Sequence, residues 1–351
     1  MEKLQKSNGP LASIAFDSKE TQGRRYFETE QSPYHEFKDP FQIDIERIRN
    51  GVFFPRLEDK TQAFFVNYHK NVKNRRTHTE EVVKIASYIS SALGLNVSLT
   101  KAIALGHDLG HVALGHLGEE IISKLASQKI SHATMGVIMA QELERDGKGL
   151  NLSHEVLEGI LEHSSANGDC RIPDRSSAES SVVVIADKIA ATFSDLSDAL
   201  KIGYLKKENI PWEILWFLGK NQKERRANTV DALIRESASA GKICFCFSQE
   251  AVYFSALKKW MYANIYLDAR NKESWRKEEK AFYQAFKIFC ENPSFKEMDP
   301  IFLLIILSDG EINQIIAKQE MILYDKKCEF TRIALSLKHI NWGVDVLCPN
   351  L

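Results

Sequence analysis

Three of the ten histidines in this 351-residue chain, His107, His111 and His116, fall within one short stretch, and Asp108 directly follows the first of them. Imidazole nitrogens and carboxylate oxygens make a mixed donor set that suits Mn²⁺, Fe²⁺, Zn²⁺ or Mg²⁺ and leaves room for water. Water on such a metal loses its proton easily, at roughly pKa 7 in the best zinc cases, and becomes a nucleophile near neutral pH. Adjacent side chains on a helix point about 100° apart, so a His-Asp pair serves one metal only near a helix end or with ligands from other helices. Gly110, just after the pair, supplies such an end. Further ligands must come from elsewhere. His78 stands three residues after Arg75 at the start of one helix, and Asp187 interrupts an otherwise apolar one. An ionisable group beside an apolar stripe costs free energy unless paired or metal-bound. For Asp187 alone, an ion pair with Lys188 or a neighbouring helix is the competing reading. His116 and Glu119 sit three apart, so one helical turn presents both.

The elements that must hold these residues are mainly helical. Val82, Ala86, Ile89 and Leu93 form one apolar face that stops at Gly94. Ser98 is positioned to cap the next helix, which carries Ile103 and Leu105 toward Gly110. Leu117, Ile121 and Leu125 form another stripe; Ser131 opens a helix with Val137, Ala140 and Leu143, and Ser153 caps one with Val156 and Ile160. Val182, Ile185, Ile189, Phe193, Leu196 and Leu200 make the clearest pattern. Beyond Gly203 further helices are expected at roughly 222–240, 249–270, 273–290 and 311–338, with aromatics such as Trp260, Tyr262, Tyr266 and Trp275 read as core and interface packing. Lys242 to Phe247 is the best strand signal, because β-formers follow Gly241. Residues 1–40, with Pro10, Pro33 and Pro40, read as a surface arm. The expected fold is therefore all-α: an arm over 1–40, a helical catalytic core over 41–205 and a mainly helical region over 206–351.

The 46 Lys and Arg residues against 47 Asp and Glu give a net charge of −1, which argues against a chain whose main business is binding nucleic acid or anionic membrane. A charged substrate would have to be caught locally. No apolar run is long enough to cross a bilayer, and the first residues lack the pattern of a secretory signal, so a cytoplasmic location is expected. Six dispersed cysteines fit reduced thiols better than a disulfide framework. Cys244 and Cys246, in Ile-Cys-Phe-Cys-Phe, read as part of an apolar alternating segment and not as a metal site, since no partner ligand pair stands nearby. His154 and His163 read as hydrogen-bonded core histidines, and Arg56 as a brace that forms an ion pair.

The arrangement His78, His107-Asp108 and Asp187 resembles the H…HD…D signature of the HD-domain metal-dependent phosphohydrolases. Within that superfamily, residues 40 to 205 are similar to the deoxynucleoside triphosphate triphosphohydrolases, the dGTPase-like family. The similarity is carried by Phe54-Pro55-Arg56-Leu57 running into Lys60-Thr61-Gln62, Arg75 before His78, His107 through His111 with Gly115-His116 and Glu119, Gly149 through Leu152, and Asp195 through Ala199. The resemblance implies an HD-domain helical bundle with added C-terminal helices. It implies a divalent metal held by His78, His107, Asp108 and Asp187, and hydrolysis of a deoxynucleoside triphosphate to deoxynucleoside and inorganic tripolyphosphate. By the same match His116 would be the acid/base group, tuned by Glu119 and His132. Arg75 and His111 would touch the α-phosphate region, Lys188 the outer phosphates and Gln62 the sugar hydroxyls, with Asp195 a further substrate-binding residue. Homo-oligomers, and nucleic acid only as a regulator, are further implications.

The chain departs from the family pattern at three places. Ala191 stands where relatives carry Tyr, Val112-Ala113-Leu114 replaces two prolines and an aromatic, and Ala133 replaces the usual Asn. No metal ligand is lost. The departures imply a divergent branch with altered substrate fit or regulation, and keep two alternatives in view: another HD chemistry, such as a nucleotide monophosphatase or phosphodiesterase, and a weakly active nucleotide-binding regulatory protein.

Overall fold

Helix-forming signals and caps organise the computed structural model, which describes residues 8–27, 39–64, 71–164, 175–269, 272–295, 298–318 and 333. Helix α1 (Pro40–Arg49) begins with Asp39 accepting from the Phe41 N–H and proline at its first position. Helix α2 (Arg75–Leu93) opens on a reciprocal capping box between Asn74 and Thr77 and stops at Gly94, whose φ of 81° is the left-handed conformation expected there. Helix α3 (Val97–Gly106) is capped by Asn96, which accepts from Leu99 N–H. Ser98, the predicted cap, instead lies in the first turn and accepts from Gln42 Nε2 at 2.9 Å. The helix also ends at Gly106, short of Gly110, and so leaves His107 and Asp108 in the turn that follows.

Four helices complete this half of the chain: α4 (His116–Leu125), α5 (His132–Ile138, capped by Ser131 and continued by a wide turn over Met139–Leu143), α6 (His154–Glu162) and α7 (Ala178–Lys201). Helices α2, α3 and α7 pack on one another, with α1 and α6 against α3. Val82, Ala86, Ile89 and Leu93 meet Ile185, Ile189 and Phe193 in a fully buried core. Ser153 precedes α6 as predicted but makes no side-chain cap bond. Its hydroxyl instead donates to the buried Asp44 carboxylate, which turns it away from the first-turn N–H groups that a cap would accept from.

The later helices are α8 (Trp212–Leu218), α9 (Gln222–Ala240), α10 (Gln249–Met261, continued by a wide turn over Tyr262–Tyr266), α11 (Glu273–Glu291), α12 (Pro300–Ile306) and α13 (Asp309–Lys318). Helix α9 contacts α2 and α7, while α11 and α12 reach α4. The expected strand at Lys242–Phe247 is absent. That segment is irregular, and among the described residues no strand lies beside it, only isolated bridges at Arg24–Ser153 and Thr61–Asn74. Its N–H groups are taken by side chains: Cys244 donates to Ser237 Oγ, and Cys246 and Phe247 donate to the Glu236 carboxylate. Apart from Ile333, the part of the expected 311–338 helix beyond Lys318, together with Cys170, Cys328 and Cys348, lies outside the described residues.

The start of the chain is tied to the core over its described part. Leu11 is buried and donates its N–H to the Leu93 carbonyl. The N–H groups of Phe16 and Asn96 share one oxygen of Glu179, and Arg24 pairs with Asp44. No helix of the described residues is long and apolar enough to cross a membrane.

Candidate metal centre

His107 shows most plainly what the site could hold. Its Nδ1 lies 2.8 Å from the Ala104 carbonyl oxygen, an acceptor, so Nδ1 carries a proton. The opposite nitrogen, Nε2, is buried and has no hydrogen-bond partner. Its polar neighbours are Asp108 Oδ1 at 3.5 Å and Asp187 Oδ1 at 4.0 Å. A lone pair facing two carboxylate oxygens is satisfied only by positive charge between them, either a second proton or a metal ion. His78 adds Nε2 at 2.9 Å from Asp187 Oδ1, and its own Nδ1 is also buried and unpartnered. His78, His107 and Asp108 hold donor atoms within 4.8 Å of one another. Two nitrogens and two carboxylates, one of them 31% exposed, fit a divalent ion with an open side.

The four candidate ligands are delivered by three parts of the fold. The α2 cap sets Arg75 and His78 in the first turn, the end of α3 releases His107 and Asp108, and Asp187 comes from the middle of α7. Asp108 lies between His111 Nε2 at 3.2 Å and Arg75 Nη1 at 3.1 Å. Burial opposes its ionisation, but His107, His111 and Arg75 outweigh that and hold it well below the usual carboxylate range. Asp187 is likewise driven down: burial is outweighed by the His78 hydrogen bond and charge. Both carboxylates are therefore ready as anions.

A second cluster adjoins the first. One oxygen of Glu119 lies 2.8 Å from His132 Nδ1, 3.0 Å from His111 Nδ1 and 3.5 Å from His116 Nδ1. Burial opposes ionisation here too, and the three imidazoles outweigh it. His111 and His132 stack with ring centres 3.9 Å apart. Burial, with Arg75 and His132 nearby, lowers His111 to about 3 and keeps it neutral. His116 is the exposed member, with 71% of its side chain accessible. His163, read from sequence as a core histidine, is buried as expected but also joins this cluster. Its Nδ1 lies 2.7 Å from the Ile160 carbonyl and its Nε2 3.0 Å from His132 Nε2. Burial, then His132 and His107, lower it to about 3, so its Nε2 acts as acceptor and His132 donates.

The outer residues are placed less uniformly. Gln62 is half-buried, and its amide oxygen is buried without a partner. Lys188 is half-buried beside Asp187. Asp195, two turns along α7 from Asp187, accepts from Tyr266 Oη at 2.6 Å; burial pushes it up to about 6 although that bond pulls the other way. From sequence Tyr266 reads as a packing aromatic, and no local signal sets it apart. Ala191 lies midway between the two aspartates.

Two buried side chains lock the loops that carry the site. Asp309, at the start of α13, accepts from Thr61 N–H and Leu114 N–H, both at 2.6 Å. Lys60 Nζ donates to the His111 carbonyl, with burial and Arg56 lowering it to about 7. Leu114, at φ 61°, sits in the left-handed region that branched side chains avoid. Gly110 packs so closely on α5 that a Cβ there would lie 2.1 Å from Gly136 N and from His132 O. Arg56 pairs with Glu311, the brace expected of it.

The HD domain family matches residues 75–192, a span that contains all four candidate ligands. Proteins named deoxyguanosinetriphosphate triphosphohydrolase-like are similar over most of the chain. One from Clostridium tetani is 32% identical, covering 84% of this chain and 83% of its own length. One from Caldanaerobacter subterraneus is 36% identical over 80% of each, and one from Clostridium perfringens is 33% identical over 86% of each. These similarities make the chain a member of the deoxyguanosinetriphosphate triphosphohydrolase-like family of HD-domain phosphohydrolases.

Proposed function

We propose that the chain hydrolyses deoxynucleoside triphosphates to deoxynucleoside and inorganic tripolyphosphate, with His78, His107, Asp108 and Asp187 holding one divalent ion. When bound, the ion lowers the pKa of a water and polarises a phosphoryl oxygen. The observation that carries this reading is the buried, unpartnered His107 Nε2 facing two carboxylates. Around it, Arg75 and His111 bind and orient the α-phosphate, Lys188 meets the outer phosphates, and Gln62 and Asp195 bind the sugar hydroxyls. A guanidinium can hold a phosphate through two parallel hydrogen bonds, which an ammonium cannot. His116 moves a proton to the leaving ester oxygen, while Glu119 and His132 hold its ring. The orphaned Gln62 oxygen supports a ligand hydroxyl at that point.

The reaction class is tested by phosphorus NMR of the products from a nucleotide panel with added Mn²⁺. Tripolyphosphate is the expected product. Orthophosphate or pyrophosphate would favour a monophosphatase or phosphodiesterase, the reading that Ala191 supports, and silence with every metal would favour a regulatory nucleotide binder. His107→Ala is expected to lose both metal and activity, whereas Glu119→Ala keeps metal and loses rate. Metal content undiminished in His107→Ala would refute the ligand assignment.

We further propose residues 41–205 as the catalytic core and 206–351 as a region that packs on it or forms homo-oligomer contacts. Exposed Trp212 and Trp216, one turn apart on α8, support the oligomer. Sedimentation of a Trp212→Ser/Trp216→Ser variant tests this.

A further inference from the structure

Away from the HD cluster, the loop after α9 gathers two thiols and a carboxylate. Consecutive residues of the last turns of α9 pin it down. Ser237 Oγ accepts from Cys244 N–H at 3.1 Å and donates to the Cys244 carbonyl at 3.2 Å. The Glu236 carboxylate accepts from the N–H groups of Cys246 at 2.7 Å, Phe247 at 3.1 Å, and Ser248. Cys244 is buried together with Ile243 and Phe245, whereas Cys246 is exposed.

Held this way, the two Sγ atoms lie 3.5 Å apart, with Cys244 Sγ 4.0 Å from Glu236 Oε2. All three donor atoms fall within 4.8 Å of one another. The backbone pins explain the carboxylate, but packing explains only the buried Cys244. A second thiol fixed beside it and open to solvent gains little from a weak S–H···S contact. At a metal–sulfur distance of roughly 2.3 Å, sulfurs this far apart subtend roughly 100° at the ion, close to a tetrahedral angle. Burial opposes ionisation of Glu236, yet the hydrogen bonds from Ser248, Cys246 and Phe247 outweigh it and keep it anionic.

We infer that Glu236, Cys244 and Cys246 form a second metal site, a thiolate site for a soft divalent cation such as Zn²⁺, separate from the HD centre. Binding forms two metal–sulfur bonds and releases two thiol protons to solvent. Nothing is oxidised or reduced, the carboxylate gives the third bond, and a water completes the tetrahedron. The site differs in kind from the HD centre, whose ligands contain no sulfur, and the inference does not depend on the reaction proposed above.

That difference supplies the test. Reduced full-length protein is titrated with Co²⁺, because a thiolate-to-cobalt charge-transfer band in the near ultraviolet reports sulfur ligation only. The band is expected in the unaltered protein, in His107→Ala and in Cys290→Ser. It should vanish in Cys244→Ser/Cys246→Ser, and zinc content should fall by one ion per chain in that variant. Circular dichroism checks its folding. Should it fail to fold, Cys246→Ala, altered only at the exposed thiol, replaces it. No band in the unaltered protein, a band that survives removal of the thiols, or a Cys244–Cys246 disulfide found by peptide mapping in the presence of Zn²⁺ and reductant would overturn the inference.

Discussion

Replacing Asp309 separates the scaffold of the site from its chemistry, because this residue touches none of the candidate metal ligands. Its two carboxylate oxygens each take one buried N–H, from Thr61 and from Leu114. Asp309→Asn keeps one acceptor, so one N–H loses its partner and faces an amide NH₂, at a cost of about 1–3 kcal/mol. Part of this is returned, since burial already raises the Asp309 carboxyl and an amide carries no charge to bury. Asp309→Ala orphans both N–H groups and costs roughly twice as much. Loss of the Leu114 bond has a further effect. The left-handed Leu114 backbone stores about 1–2 kcal/mol, and relaxing it moves Gly115 and His116. A displacement of about 1 Å at a reacting group lowers kcat on the order of a hundredfold. The expected result is a melting temperature lowered by a few degrees in Asp309→Asn and by more in Asp309→Ala. Turnover should fall steeply in both, with metal content, read by plasma mass spectrometry, unchanged. An Asp309→Asn protein with unaltered melting and turnover, or an alanine variant no worse than the asparagine one, would refute the reasoning.

Two further outcomes follow from the site. The Asp195 carboxyl is raised to about 6, so between about pH 4 and 6 the folded chain holds a proton that the unfolded chain has released. Stability therefore falls as pH rises through that window, and the penalty is complete above it. Asp195→Asn should be more stable than the parent by on the order of a few kcal/mol at pH 7.5, with the gain shrinking toward pH 4. Urea titrations that show a pH-independent difference would contradict this. Gly110→Ala should cost about 3 kcal/mol or prevent folding, because its Cβ would meet backbone atoms of α5 that cannot move aside. A urea midpoint equal to the parent's would show that the turn can shift.

Local pattern reveals what local physics determines. The apolar face of α2 and its glycine stop, and the α7 stripe, are visible in order along the chain, and so are His107-Asp108 and the interrupting Asp187. Asn96 and Ser98 are both competent caps, and only the packing of Gln42 against Ser98 assigns them their roles. Lys242–Phe247 has the composition of a strand, but a strand needs a partner, and the side chains of α9 take its N–H groups instead. His163, Tyr266 and Asp309 were not legible as parts of the site. Each acts through a contact far away in sequence: 31 residues for His163 with His132, 71 for Tyr266 with Asp195, and 195 for Asp309 with Leu114.

The Asp309 bonds and the Arg56–Glu311 pair, which spans 255 residues, also order events in time. Synthesis runs from the first residue, so a growing chain carries His78, His107, Asp108 and Asp187 long before α13 exists to close the loops around them. Contacts of such long range form late and slow folding, because much chain must be ordered before they reward it. Until then the apolar faces of α4 and α11 stay open, a state prone to aggregation. A nascent or C-terminally clipped chain would thus carry every candidate ligand yet stay idle, and would reach competence only as α12 and α13 dock.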